Sequence, residues 1–372
     1  MDVITLGILL TFITKAIATS FNMAHSGLTE IPHNSISASV TKIILNNNDI
    51  TQLNYGEFSQ YTELFELNLL FNEITDIAND AFCGTSLKHV YLGGNELTDF
   101  PNFSCVRDTL LTLKLWTNKI LSISREQLDL PHLYSLAISN NPITVWPDLS
   151  LMGVETDSHK DLYLRNGQTL PSLKSIPTPF CDMYFVELSL QPYSIVPYIN
   201  CSSSNSSLNT LKLEGKQYDD STDLHDLVNL ADIDSFTSLI MIKNSFTTFP
   251  DLPLALRQKL KTLDLHGCDI ESIDAERING FNLDFLDLSE NKLTSLPLDL
   301  LKITAKLDMS EVSTVTDWSK GTWAQLFCNS EYEQLNQLDI SGTLTNLVKF
   351  PMLDGYPCRE NIKLDINLGP VS

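Results

Sequence analysis

The sequence predicts an α/β solenoid: stacked coils with a parallel β-sheet along one face and a mostly irregular return side. Three observations predict it. Apolar residues recur at fixed offsets, and the first five copies start 24, 23, 23 and 23 residues apart. Inside each copy, apolar positions at offsets 3 and 5 alternate with polar neighbours, the pattern of a short strand with one buried face. A unit of this size cannot bury its apolar side alone, so neighbouring copies must stack. The 372 residues, which by length suggest about two or three domains, are therefore expected to form one array.

Val40, Ile43, Leu45, Asn48 and Ile50 make the first copy, and the same positions recur from Leu64, Leu87, Leu110 and Leu133. Clean copies return at Phe236, Leu260 and Leu283, where Asn244, Cys268 and Asn291 occupy the asparagine slot. Weaker ones start at His159, Phe185, Leu208, Thr304, Leu335 and Asn361, which makes fourteen copies, eight of them clean. The asparagine brings both a donor and an acceptor to the backbone of the turn that leaves the strand. Coils this short leave too little room on the return side for full helices.

The phrase L-x-x-L-x-L-x-x-N-x-L resembles the extracellular, "typical" class of leucine-rich repeat over residues 27–371. A further mark of that class, an apolar residue eighteen positions after the repeat start, is present as Phe58, Phe82, Leu128, Leu151, Leu254, Ile278 and Leu301. The lead-in Ser26-Gly27-Leu28-Thr29-Glu30-Ile31-Pro32 is similar to the end of the N-terminal cap of slit-like and Toll-like proteins, without that cap's cysteines. The resemblance implies a curved horseshoe with the sheet on its concave face. It also implies a role in cell-surface recognition, adhesion or innate immunity.

Residues 1–18 have the form of a signal peptide, with an apolar run from Val3 to Ile13, then Lys15, then Ala16-Ile17-Ala18 before the cut. The run is shorter than the roughly 20 residues a membrane span needs. Residues 19–39 are expected to be an atypical cap and residues 40–372 the repeats. No later segment is apolar enough to span a bilayer, and the tail DINLGPVS lacks the features of a lipid-anchor signal. The product is expected to be secreted. Its last strand, around Leu364 and Ile366, lacks a recognisable cap, so end-to-end dimerisation or a further segment would have to cover it.

With 24 Lys+Arg against 46 Asp+Glu, the net charge of −22 argues against a nucleic-acid partner and an anionic membrane surface. A hydrophobic content of 43% excludes disorder. The seven cysteines resolve against the repeat register. Cys83 and Cys105 stand at nearly equal offsets of consecutive coils, as do Cys328 and Cys358, and Cys181 and Cys201 less closely; residues so placed are neighbours in space. Cys268 is left over as a buried free thiol. Sequons at Asn102, Asn200 and Asn205 fall on the return side, so glycans there would leave the sheet bare.

Binding residues of a repeat array lie on outward strand positions. In the N-terminal half these hold Ile44, Phe65, Leu70, Phe71, Tyr91, Trp116, Tyr134 and Tyr163, with Lys114 and Arg165 among them. Tyr91, Trp116 and Tyr134 come from successive copies and are expected to form a strip of the kind found in interface hot spots. In the C-terminal half, Asp264, Asp287, Asp308, Asp339 and Asp365 all fall at offset 4, an acidic column partly neutralised by Lys261, Lys306 and Lys363. Such a column suits a solvated face, a basic partner or a cation.

The stretch Gln217–Ser235 lengthens one copy. Leu224, Leu227, Val228 and Ala231 fall there at helical spacing behind Ser221/Thr222, and its acids lack the glycine and glutamate of a calcium loop. No catalytic motif is present, and although His266 stands beside Asp264 and Asp287, no nucleophile is expected to join them. The reading is a non-enzymatic, cofactor-free module that binds an extracellular protein or glycan, of basic character if the acidic half takes part. Two alternatives stand beside it: the ectodomain of a Toll-like or other transmembrane receptor, and an acidic calcium-binding matrix protein.

Overall fold

The computed structural model describes residues 20–143, 147–155, 160–166, 175–176, 183–190, 198–199, 206–215, 218–294, 298–312, 334–342 and 365–367. The proposed signal peptide, Cys181, Cys201, Cys328, Cys358, Asn200 and Asn205 lie outside them. The chain divides into two compact units, Met1–Tyr163 and Leu164–Ser372.

In the first unit the strands Ser20–Asn22, Lys42–Ile44, Glu66–Asn68, His89–Tyr91, Thr112–Lys114 and Ser135–Ala137 pair in parallel and in chain order, followed by the opening residues of Asp161–Asn166. The central side chains Ile43, Leu67, Val90, Leu113, Leu136 and Leu162 are fully buried. On the return side Phe58, Phe82 and Phe103 stack from coil to coil, with ring centroids 6.4 and 5.2 Å apart. A disulfide joins Cys83 to Cys105 with a Cα separation of 4.9 Å. In the second unit the strands Phe185–Leu190, Thr210–Leu213, Ser238–Ile240, Thr262–Asp264, Leu283–Asp287, Thr304–Asp308, Gln337–Asp339 and Asp365–Asn367 pair in the same way.

The asparagines bind the coils together. Asn118 Oδ1 accepts the Leu97 N–H at 3.0 Å, while its Nδ2 donates to the Leu92 and Leu115 carbonyls at 3.0 Å each. Asn72, Asn95, Asn141 and Asn291 repeat this pattern one coil at a time. Asn48 extends it to the cap: its Oδ1 accepts from Ser26 and Leu28 N–H, and its Nδ2 donates to Met23 O. Cys268 fills half of this role. It is buried and free, and its thiol donates to the Met241 carbonyl at 2.7 Å. Burial pushes that thiol's pKa up to about 12, so it stays protonated.

Most of the described coils then turn through a left-handed residue at offset 7. Gly94, Gly267 and Gly342 take this position, but so do Asn47, Phe71, Thr117, Asn140, Lys243, Glu290 and Glu311.

Register differs from the sequence expectation at two strands. Copies starting at Phe185 and Asn361 would put Leu188 and Leu364 at offset 3. Instead Val186 pairs with Leu211 and Ile366 with Leu338, a shift of two residues in both. A two-residue slip keeps every side chain on its own face, so alternation in FVELSL or KLDINL cannot detect it.

The lengthened coil carries a 3₁₀ helix, His225–Asp232, rather than an α-helical turn. Leu224, Leu227, Leu230 and Ile233 are buried at intervals of three, whereas Val228 is exposed. That period matches the three residues per turn of a 3₁₀ helix, in which i and i+3 eclipse. Thr222 accepts from the Asp219 N–H and so closes the preceding turn instead of capping the helix. Leu254, the apolar residue at offset 18 of its copy, is exposed; the short helix Leu254–Lys259 buries Leu256 instead.

Candidate binding surface

Outward side chains of the first unit form two rows across its sheet. One runs Lys42, Glu66, His89, Thr112, Ser135, Asp161; the other runs Ile44, Asn68, Tyr91, Lys114, Ala137, Tyr163. Lys42 closes on Glu66 at 2.8 Å. Tyr91 is half-buried between Asn68 and Lys114, and the Lys114 ammonium lies 5.1 Å from its ring centroid, a cation–π distance. Burial first, then the charge of Glu66, pushes the Tyr91 phenol above its usual range. Lys114 makes no ion pair among the described residues.

Trp116 and Phe71 follow their strands by two and three residues. Their rings meet edge to face at 5.2 Å although they belong to the second and fourth coils. Gly93-Gly94 of the coil between makes this possible. A Cβ on Gly93 would clash with the Trp116 ring, and one on Gly94 with the Phe71 ring. Phe71 is 50% exposed and holds φ +54°, a costly conformation for an aromatic residue.

The expected strip of Tyr91, Trp116 and Tyr134 is not formed as one row. Their offsets are 4, 6 and 1, and only equal offsets become lateral neighbours in a parallel ladder. Tyr134 and the half-buried Phe65 lie on the leading edge, joined through Lys88 and Leu111 by backbone hydrogen bonds. Tyr91 is the last residue of its strand, and Trp116 lies two residues beyond the end of its own. Tyr163 ends the middle row beside Ala137. Arg165 is in strand Asp161–Asn166, its side chain outside the described residues.

In the second unit Asp264, Asp287, Asp308 and Asp339 stand in register on four adjacent strands. Asp365 does not join them. It pairs with Gln337, and Asn367 takes the place beside Asp339, a consequence of the two-residue shift. Each aspartate accepts the N–H two residues on: His266, Ser289, Ser310 and Ser341, at 2.8–3.0 Å. Asn22 and Asn68 do the same at this offset in the first unit. Closing the strand is therefore one reason for the residue type. Burial first, and then the neighbouring carboxylates, hold Asp264 and Asp308 above the usual carboxylate range, partly opposed by the bonds they accept. Lys212 is the lysine that offsets Asp264; Lys261 instead donates to the Asn282 carbonyl.

His266 does have a hydroxyl neighbour, contrary to expectation: Ser289 Oγ is 2.8 Å from Nδ1, and the same hydroxyl donates to Asp287 Oδ1 at 2.5 Å. With the Ser289 hydroxyl donating to Asp287, its oxygen faces His266 Nδ1 as an acceptor. Sequence reasoning missed it because it searched offset 4, and Ser289 is at offset 6. No cluster of three His, Cys, Asp or Glu side chains suited to a metal occurs among the described residues. The sequon Asn102 is exposed on the return side, its Oδ1 accepting the Ser104 N–H. No helix among the described residues is long and apolar enough to cross a membrane.

A family model described as leucine rich repeat matches residues 38–97. The human leucine-rich repeats and immunoglobulin-like domains protein 3 is 31% identical over 121 residues, 32% of this chain and 11% of that protein. Human podocan-like protein 1 is 28% identical over 281 residues, 72% of this chain and 52% of that one. The chain thus spans between about a tenth and about a half of these relatives' lengths. Among solved structures, an internalin from Listeria monocytogenes aligns with a TM-score of 0.48 at 16% identity, covering 86% of this chain and 95% of that one. The stacked parallel strands and the asparagine ladder give the chain a leucine-rich-repeat fold, and the leucine-rich-repeat family model matches its residues 38–97.

Proposed function

We propose that the chain is a secreted protein-binding module that engages its partner with the open sheet face of its first unit. The observation that carries this reading is the Phe71–Trp116 pair held over Gly93-Gly94, next to Lys114, which makes no ion pair among the described residues. A folded sheet has no need of a half-exposed phenylalanine in a left-handed turn, where glycine would be less strained. Exposed aromatic rings beside a desolvable cation are the usual core of an interface hot spot. The aspartates of the second unit would favour a partner with a complementary basic surface, chiefly through the rate of encounter. Extracellular placement is supported by the N-terminal segment, the sequons and the Cys83–Cys105 bridge.

Expression in secreting cells tests the placement: protein from the medium should begin at Thr19 and carry a glycan on Asn102. For binding, the oligomerised chain is screened against a library of extracellular domains. A genuine partner should be lost by F71A and by W116A with melting temperatures within a few degrees of the parent. Partners that bind both variants as well as the parent would place recognition elsewhere.

A further inference from the structure

One cavity among the described residues lies away from the sheet face. It lies on the return side, where the cap segment Glu30–Ser35 meets the first coil's segment Asn54–Gln60, and its volume is ≈ 690 Å³. That is within the range of small-ligand sites, but its lining is polar where such sites are usually apolar. From this lining we propose that the cavity is a binding site for a neutral saccharide, with Tyr55 as its stacking platform.

The floor is a closed network. His33 Nε2 lies 2.6 Å from Glu57 Oε1, and Glu57 Oε2 accepts the Asn54 N–H at 2.6 Å. The other ring nitrogen is 2.9 Å from the Tyr61 hydroxyl, which also accepts from Gln60 Nε2 at 3.0 Å. Glu57 and Tyr61 are buried. These bonds fix the floor before a ligand arrives, so little ordering is left to oppose binding.

The rim is uncommitted. The side chains of Asn34 and Ser35 and the carbonyl oxygen of Gln60 make no hydrogen bond to another described residue, and all three residues are exposed around the cavity. Together they offer amide donors, an amide acceptor and a hydroxyl, the groups that pair with vicinal sugar hydroxyls. Beside them Tyr55 is 86% exposed, the most exposed large apolar side chain of the described chain. An aromatic face against the C–H face of a pyranose supplies the apolar part of such recognition.

Charge narrows the class. The lining contains Glu30 and Glu57 and no lysine or arginine. A phosphate, sulfate or uronic acid would meet carboxylates without a counter-cation, so anionic glycans are disfavoured. The site also belongs wholly to the first unit and shares no residue with the sheet-face patch.

The test uses the full-length secreted chain and free trisaccharides: chitotriose, maltotriose and mannotriose, with trigalacturonate as the anionic control. Saturation-transfer NMR and calorimetry should show at least one neutral trisaccharide binding saturably, and trigalacturonate at least tenfold more weakly. Y55A should weaken the neutral sugar by tenfold or more with an unchanged melting temperature, while W116A leaves sugar binding intact. No binding by any neutral sugar, equal binding of trigalacturonate, or full binding by Y55A would each overturn the proposal. Loss in W116A with retention in Y55A would place sugar recognition on the sheet face instead.

Discussion

Replacing Asn118 with alanine removes one rung of the ladder, and the cost can be worked from its three bonds. The Leu97 N–H is buried and accepted only by Asn118 Oδ1, so it is orphaned, at about 1–3 kcal/mol. The Leu92 and Leu115 carbonyls each lose one donor but keep another, from Asn95 and Asn141 respectively. Two lost bonds with partly satisfied acceptors add about 1 kcal/mol each. The expected total is about 3–5 kcal/mol, most of it felt locally because a coil touches only its neighbours. Urea unfolding should show this loss, and hydrogen exchange should show the Leu97 amide losing its protection while amides of the second unit keep theirs. A loss below about 1 kcal/mol with Leu97 still protected would refute the reasoning, because it would mean water or a shifted turn replaces the side chain.

Other outcomes follow from the same structure. Asp264 and Asp308 are held above the ordinary carboxylate value of 3.8, so the folded chain retains protons that the unfolded chain releases. Stability attributable to them therefore falls as pH rises from 3.8 through the raised values, and the penalty is complete above those. D308N keeps an oxygen for the Ser310 N–H but loses the charge; it should melt higher than the parent at pH 7 and vary less across the acid interval, and identical profiles would contradict this. The hydroxyl of Tyr218 is buried without a hydrogen-bond partner among the described residues, so Y218F should be at least as stable as the parent; a loss above about 1 kcal/mol would reveal a partner for it.

The sequence alone determined the class of fold, the strand phase of twelve of its fourteen repeat copies, the Cys83–Cys105 pairing and the buried state of Cys268. Each follows from a residue type at a fixed period, and in a stack every coil inherits its neighbours from that period. The tertiary structure decided what depends on levels within a coil. Alternation has a period of two, so it could not distinguish the observed registers at Val186 and Ile366 from their two-residue slips, and Asp365 fell out of the aspartate column as a result. Membership of successive coils does not make residues neighbours either: Tyr91, Trp116 and Tyr134 separated onto three levels. Phe71 and Trp116 met across two coils because Gly93-Gly94 contributes no side chain to keep them apart. The one clue in the sequence was a pair of glycines where neighbouring coils carry large rings, an absence of atoms that a search for functional side chains passes over.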